Sequence, residues 1–158
     1  MNFRINALSR ARFAHLFALS DLELTAQDAV RRVVDAKPGF PCRISLEDAE
    51  IGETVILAHY EHQPARTPFR ASHAIYVRPG AEEARPAVGA VPDALRSRIL
   101  SLRAFDEAGM LIDADLADGR ELEPVVIRLL ADPRVAYLQA HFAKPGCYAA
   151  RIDRAIDS

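Results

Sequence analysis

Cys147 and His141 are the pair of side chains best suited to covalent chemistry, because an imidazole close to a thiol draws off its proton and leaves a thiolate nucleophile. Register decides whether they meet. If residues 143–146 form a four-residue loop, His141 pairs with Tyr148; if Pro145-Gly146 alone makes the turn, it pairs with Ala150. Side-chain alternation puts His141 and Cys147 on opposite faces in both cases, and only an odd-length loop or a bulge reunites them. Cys42 is the second thiol and arrives in the same way. Each cysteine lies within three residues of an Ala-Lys-Pro-Gly tetrapeptide, at 36–39 and 143–146. Pro presets φ near −65° and Gly accepts positive φ, so each Pro-Gly pair makes a tight turn that delivers a cysteine to an extended run.

Three arginines are candidates for binding a ligand. Arg151 shares one face of the last strand with Cys147, Ala149 and Asp153, and the small alanines leave room over the sheet for an anion. The same placement suits a closed pair with Asp153, so both readings stand. Arg43, next to Cys42, and Arg103, in the run SLRAFD, join such a pocket if their strands neighbour the last one.

His59-Tyr60-Glu61-His62 is the only close histidine pair. Zinc histidines on a helix sit four apart, as in HExxH, whereas these are three apart after TVILA, which reads as strand. On a continuing strand they point opposite ways. A metal site needs His62 in a turned loop and a third ligand such as His73 or Cys42, so neither a metal nor a cofactor is expected. The chain has no glycine-rich phosphate loop, no GxSxG elbow and no dinucleotide fingerprint.

The elements that must position these residues follow from patterning. Residues 3–7 read as a short edge strand and 12–19 as helical, with Ser20 or Asp21 capping what comes next. Thr25 and Asp28 resemble a capping box, and Val30, Val33 and Val34 share a helical face, predicting a helix over 25–36. Residues 54–60 and 72–78 read as strands, 79–92 as a proline-rich loop, and 92–98 as a short helix. Residues 99–106 and 110–116 flank Glu107-Ala108-Gly109 at hairpin spacing. Residues 121–131 have helical periodicity with Pro124 in the first turn, and 135–142 and 147–153 form the last strand pair. Hairpins with helices between them predict an α+β fold: one domain over 1–158, a mainly antiparallel sheet, and two or three packed helices.

The net charge of −2 argues against a nucleic-acid partner. No run approaches the ~18 apolar residues of a membrane span. Without a secretory h-region, the chain reads as cytoplasmic with Cys42 and Cys147 as reduced, unbridged thiols. Lys37 and Lys144 are the only lysines, leaving eighteen arginines among the twenty basic residues. A GC-rich genome accounts for that bias as readily as selection for anion recognition does.

The blocks PGFPCR, SLEDA, SHAIYVRPGA and GCYAARIDR together resemble a bacterial family known as domain of unknown function twelve-oh-three, over about 13–155. The resemblance implies a bacterial single domain and brings no activity, cofactor or catalytic residue. Ser72-His73 departs from the Ser-Gly or Gly-Pro expected before Ile-Tyr-Val. Three functions remain open: a domain that binds a small anionic ligand through Arg151, Arg43 and Arg103; a thiol-dependent enzyme using Cys147 or Cys42; and a homodimeric interaction protein paired through an exposed sheet edge. Whether the chain is an enzyme is left undecided by these residues.

Overall fold

Strands carry the fold in the computed structural model, which describes residues 1–156. One antiparallel sheet runs in the order β1 (Asn2–Asn6), β8 (Tyr148–Ala155), β7 (Tyr137–Phe142), β5 (Ile99–Phe105) and β6 (Leu111–Asp118). A second antiparallel sheet orders β2 (Val30–Val33), β3 (Thr54–Gln63) and β4 (Ala71–Val77). The helices are short: α1 (Ala14–Phe17), α2 (Asp21–Thr25), α3 (Asp93–Arg96) and α4 (Leu122–Leu130). Strand accounts for 37% of the residues against 18% for helix, so the fold is β-rich with two sheets. This corrects the expected α+β architecture with two or three packed helices.

The largest part of that error is the expected helix over 25–36. Its cap is one element too late, since the capping box is Ser20 with Glu23 and opens α2. Asp28 then takes φ of 56°, a left-handed conformation that Asp tolerates and a helix does not continue through. Val30–Val33 pairs with β3 instead, where β-branched side chains suit a pleated surface. Only Val34 of the valine trio is buried, so its three-four spacing reflects an edge strand followed by a turn.

Elsewhere the patterning holds. In α4, Leu122, Val126, Leu129 and Leu130 are buried at helical spacing. They pack on the face of the large sheet that presents Leu100, Leu102, Leu138, Ala140 and Ile152. The other face of that sheet is turned to the small sheet: Tyr148 clusters with Ile56, Ala58, Ile75 and Val77, together with Ile44, Phe13 and Leu24 from the connecting segments. Gly119 holds the chain close to α3, since a Cβ there would stand 1.9 Å from the Leu95 carbonyl oxygen.

Two β-bulges shape what lies between the sheets. One, between Tyr60 and Gln63 in β3, turns the consecutive side chains His62 and Gln63 inward. The other lies after the Ala140–Ala150 pair and brings His141 opposite Tyr148. Both bulges break the period-two alternation locally and re-aim a side chain. No helix among the described residues is long and apolar enough to cross a membrane.

Candidate functional site

The two Ala-Lys-Pro-Gly turns meet across one cavity. Pro38 and Gly39 of the first and Lys144 and Pro145 of the second line a space of about 650 Å³, together with Arg43, Tyr76, Arg98, Phe142 and Cys147. The chain reaches this place because Cys42 bridges Tyr76 as a parallel neighbour of β4, while the Arg43 N–H bonds to the Tyr76 carbonyl. Arg43 is therefore fixed at its backbone and points inward.

Arg43 is 1% exposed and is among the largest fully buried side chains of the described residues. Nε donates to the Tyr148 carbonyl at 2.8 Å, Nη1 to the Pro41 carbonyl at 2.5 Å and Nη2 to Cys147 Sγ at 3.0 Å. The Phe142 ring lies 4.8 Å away. Among the described residues no carboxylate is within ion-pair distance, whereas Arg98, on the same cavity wall, is held by both oxygens of Asp48 at 2.9 and 2.6 Å. Burial pushes the Arg43 pKa down, and the sulfurs of Cys147 and Cys42 offset part of that. Arg98 is thus neutralised by a carboxylate, and Arg43, among the described residues, is not.

The remaining candidates separate. Cys42 is buried and its sulfur accepts the Arg78 N–H, so it does not face the cavity. Arg151 is exposed, bonds Asp153 through Nε at 3.0 Å and lies 4.1 Å from the Tyr137 ring centroid, and its pKa is raised chiefly by Asp153. Ala149 and Ala150 pack in the core with the α4 residues, and Arg151 lines a separate cleft of about 530 Å³ with Tyr60, Tyr137 and Gln139. Arg103 stands opposite Gln139 on the sheet face turned to the small sheet. Arg103 and Arg151 thus flank Gln139 on one sheet face, and neither lines the Arg43 cavity.

Cys147 and His141 form no dyad. The loop has four residues, with the Gly146 N–H bonded to the Phe142 carbonyl and the Phe142 N–H bonded to the Cys147 carbonyl. His141 directs Nδ1 to the Gly146 carbonyl at 3.2 Å and Nε2 to Gln139 Oε1 at 3.1 Å.

His141 instead meets His62 and His73. The His62 and His73 rings stack with centroids 4.6 Å apart, and His141 stands edge-on to them at 4.8 and 5.4 Å. Gln139 ties the group together, donating from Nε2 to the His62 carbonyl and accepting at Oε1 from His62 Nδ1 at 2.7 Å. Burial first, then the charges of Arg103 and the neighbouring rings, lower the pKa of His141 to about 3. Burial likewise holds His62 to about 4 against the support of its Gln139 bond. Among the described residues, these three rings form the group whose nitrogens are close enough together that they could hold a metal.

A family model described as a protein of unknown function, DUF1203, matches residues 39–154. The chain belongs to that family. Comparison with curated proteins and with solved structures gives no match. The DUF1203 span contains Arg43, Cys147 and all three clustered histidines, while β1, α1, α2 and β2 precede it.

Sequence reasoning on this DUF1203 chain reached His62 and His73 as conditional partners and set His141 on the opposite face from Cys147, but did not bring His141 to the other two rings. His59 is exposed and apart from the group. Gln139 gave no signal, because an amide in a strand is chemically unremarkable until its neighbours are known. Lys144 and Arg98 were also missed as cavity residues, although the repeated turn itself marked the place.

Proposed function

We propose that the protein binds a small anionic ligand, a carboxylate or phosphate, in the cavity between the two Ala-Lys-Pro-Gly turns. One observation carries this reading: Arg43 is a buried cation beside a cavity of about 650 Å³, without a carboxylate partner among the described residues. A buried charge is costly unless it is paired, and two carbonyls with a sulfur leave the guanidinium short of compensating charge. A bound anion supplies it, with Lys144 at the exposed rim as a second cation. This replaces the earlier expectation that Arg151 and Arg103 share the pocket.

Thermal unfolding in the presence of phosphate, sulfate, acetate and citrate at constant ionic strength tests the reading, since a ligand of the native state raises the midpoint by mass action. Lys144→Ala, at an exposed position, should keep the fold and reduce the response. If none of the four anions raises the wild-type midpoint above a chloride control, anion binding is abandoned.

A second reading rests on Cys147 itself. Its half-buried sulfur faces the cavity and accepts an N–H from Arg43, a placement that suits a nucleophile acting on a bound substrate. The free thiols support a reducing compartment such as a bacterial cytoplasm. The open sheet edges β1, β6 and β2 support pairing between copies, which light scattering over a range of concentrations tests.

A further inference from the structure

His62, His73 and His141 reach one point from β3, β4 and β7, and their ligand-capable nitrogens lie within 4.8 Å of one another. Three facts distinguish this group from an ordinary buried polar cluster. His62 Nε2 and His73 Nδ1 are buried without any hydrogen-bond partner. A neutral His141 has one N–H for two oxygens, the Gly146 carbonyl and Gln139 Oε1, so one of its nitrogens turns a lone pair toward an oxygen. The Gln139 amide cannot flip to relieve this, because its NH₂ is committed to the His62 carbonyl. The cluster therefore carries three imidazole nitrogens, one on each ring, that lack a satisfying hydrogen bond.

We propose that these three imidazoles bind a divalent transition metal of the zinc class, with water or an anion completing the coordination. Imidazole nitrogen suits such ions, and three protein ligands with an open fourth position is the arrangement of catalytic zinc sites. The outer contacts agree with ligation through Nε2 of His62 and His141: each donates its Nδ1–H to an oxygen, Gln139 Oε1 or the Gly146 carbonyl, which sets tautomer and ring orientation. His73 would ligate through the unpartnered Nδ1. Metal–nitrogen bonds of about 2.0–2.1 Å require nitrogens about 3.3 Å apart, so the rings must draw together on binding. His73 can make that adjustment, being held by its stack on His62 rather than by a hydrogen bond.

Burial and the nearby Arg103 keep the rings in the neutral form that ligates. The same Arg103 charge opposes a bare dication and favours one carrying an anion in its open position. A path to solvent exists, since His62 and Gln139 also line a cleft of about 530 Å³ with Tyr60 and Arg151.

The test is titration of the full chain, freed of metal with EDTA, with Co²⁺ and separately with Zn²⁺ by calorimetry, following Co²⁺ absorption for ligand geometry. One equivalent should bind with a nitrogen-ligated spectrum. His73→Phe, which keeps an aromatic ring on His62, should weaken binding at least tenfold, while exposed His59→Ala and cavity-facing Cys147→Ser should leave it unchanged. Absence of saturable binding near one equivalent overturns the proposal, as does undiminished affinity in His73→Phe or a loss in Cys147→Ser equal to that in His73→Phe. If His73→Phe does not fold, the wild-type thermal midpoint decides: one equivalent of Zn²⁺ should raise it, and no rise overturns the site.

Discussion

The Arg43 guanidinium donates to Cys147 Sγ at 3.0 Å across 104 positions of sequence, joining the segments that follow the two Ala-Lys-Pro-Gly turns. That contact makes the repeated tetrapeptide more than a coincidence of composition. Each turn supplies part of one cavity wall, and the residue after each turn's cysteine bears on Arg43: Arg43 itself follows Cys42, and Tyr148, whose carbonyl receives Nε, follows Cys147.

The two thiols should differ in reactivity because only one of them faces the cavity. Cys42 is 1% exposed and its sulfur already accepts a backbone N–H, whereas Cys147 is half-buried at the cavity wall. Iodoacetamide should modify Cys147 at least tenfold faster than Cys42 in the native protein, read by peptide mass mapping, and a bound anion should slow it. Faster labelling at Cys42 would remove the assigned orientation of both sulfurs.

Arg43→Met should be strongly destabilising. Methionine fills comparable length without charge, but it leaves the Tyr148 and Pro41 carbonyls without their donor in a buried place. The expected loss is about 2–4 kcal/mol, the range for orphaned buried acceptors, measured by urea unfolding with an unchanged denaturant slope. A loss under about 1 kcal/mol would mean that water readily replaces the guanidinium, and that its burial is less complete than the structure shows.

How far the sequence went depends on the range of each interaction. The β7–β8 hairpin was legible, because Pro145-Gly146 and two β-rich runs act locally, while the choice between a four-residue and a two-residue turn was left to the structure. The opposite orientations of His59 and His62 were legible too, from strand alternation alone. The inward pair His62 and Gln63 was not, since a bulge is set by pairing with β4 and nothing in the local composition announces it. The separation of Arg43 from Arg103 and Arg151 was beyond reach for a similar reason: pairing sets Arg103 and Arg151 on either side of Gln139 on one face of the large sheet, while Arg43 lies beside β4 of the small one. Ala149 and Ala150 were read as open space, but small residues equally admit close packing in a core.

The Asp48–Arg98 pair predicts an acid limb in the stability curve. Burial raises the Asp48 carboxyl pKa, but the Arg98 hydrogen bonds and charge, the Gly39 N–H and Lys37 outweigh it and bring it below the ordinary 3.8. A carboxylate with a depressed folded pKa contributes stability that is present above its unfolded pKa and lost as pH falls through the folded one. Asp48→Asn should therefore cost about 2–3 kcal/mol at pH 7, the scale of charged hydrogen bonds in a mostly buried pair, with the difference from wild type shrinking below about pH 4. Urea unfolding of both proteins from pH 7 to pH 3 reads this directly. A constant difference across that range would show that Asp48 acts through shape and hydrogen bonding alone.

Gln139 is the residue on which the histidine group turns. Its amide oxygen takes the His62 Nδ1–H and faces His141 Nε2, and its NH₂ holds the His62 carbonyl, so the bulge in β3 and the sheet face of β7 are joined through one side chain. Gln139→Leu preserves approximate volume but leaves a buried N–H and a buried carbonyl without partners, which should destabilise the metal-free protein by about 2–4 kcal/mol. If the three rings bind a metal, the same change frees the His62 tautomer and orientation and should weaken Co²⁺ binding by about 10–100-fold. The two effects separate by measurement, with urea unfolding in EDTA for the first and Co²⁺ titration of the folded variant for the second. Unchanged stability would deny Gln139 its place between the sheets. Unchanged Co²⁺ affinity in a folded variant would show that His62 needs no outer partner to ligate.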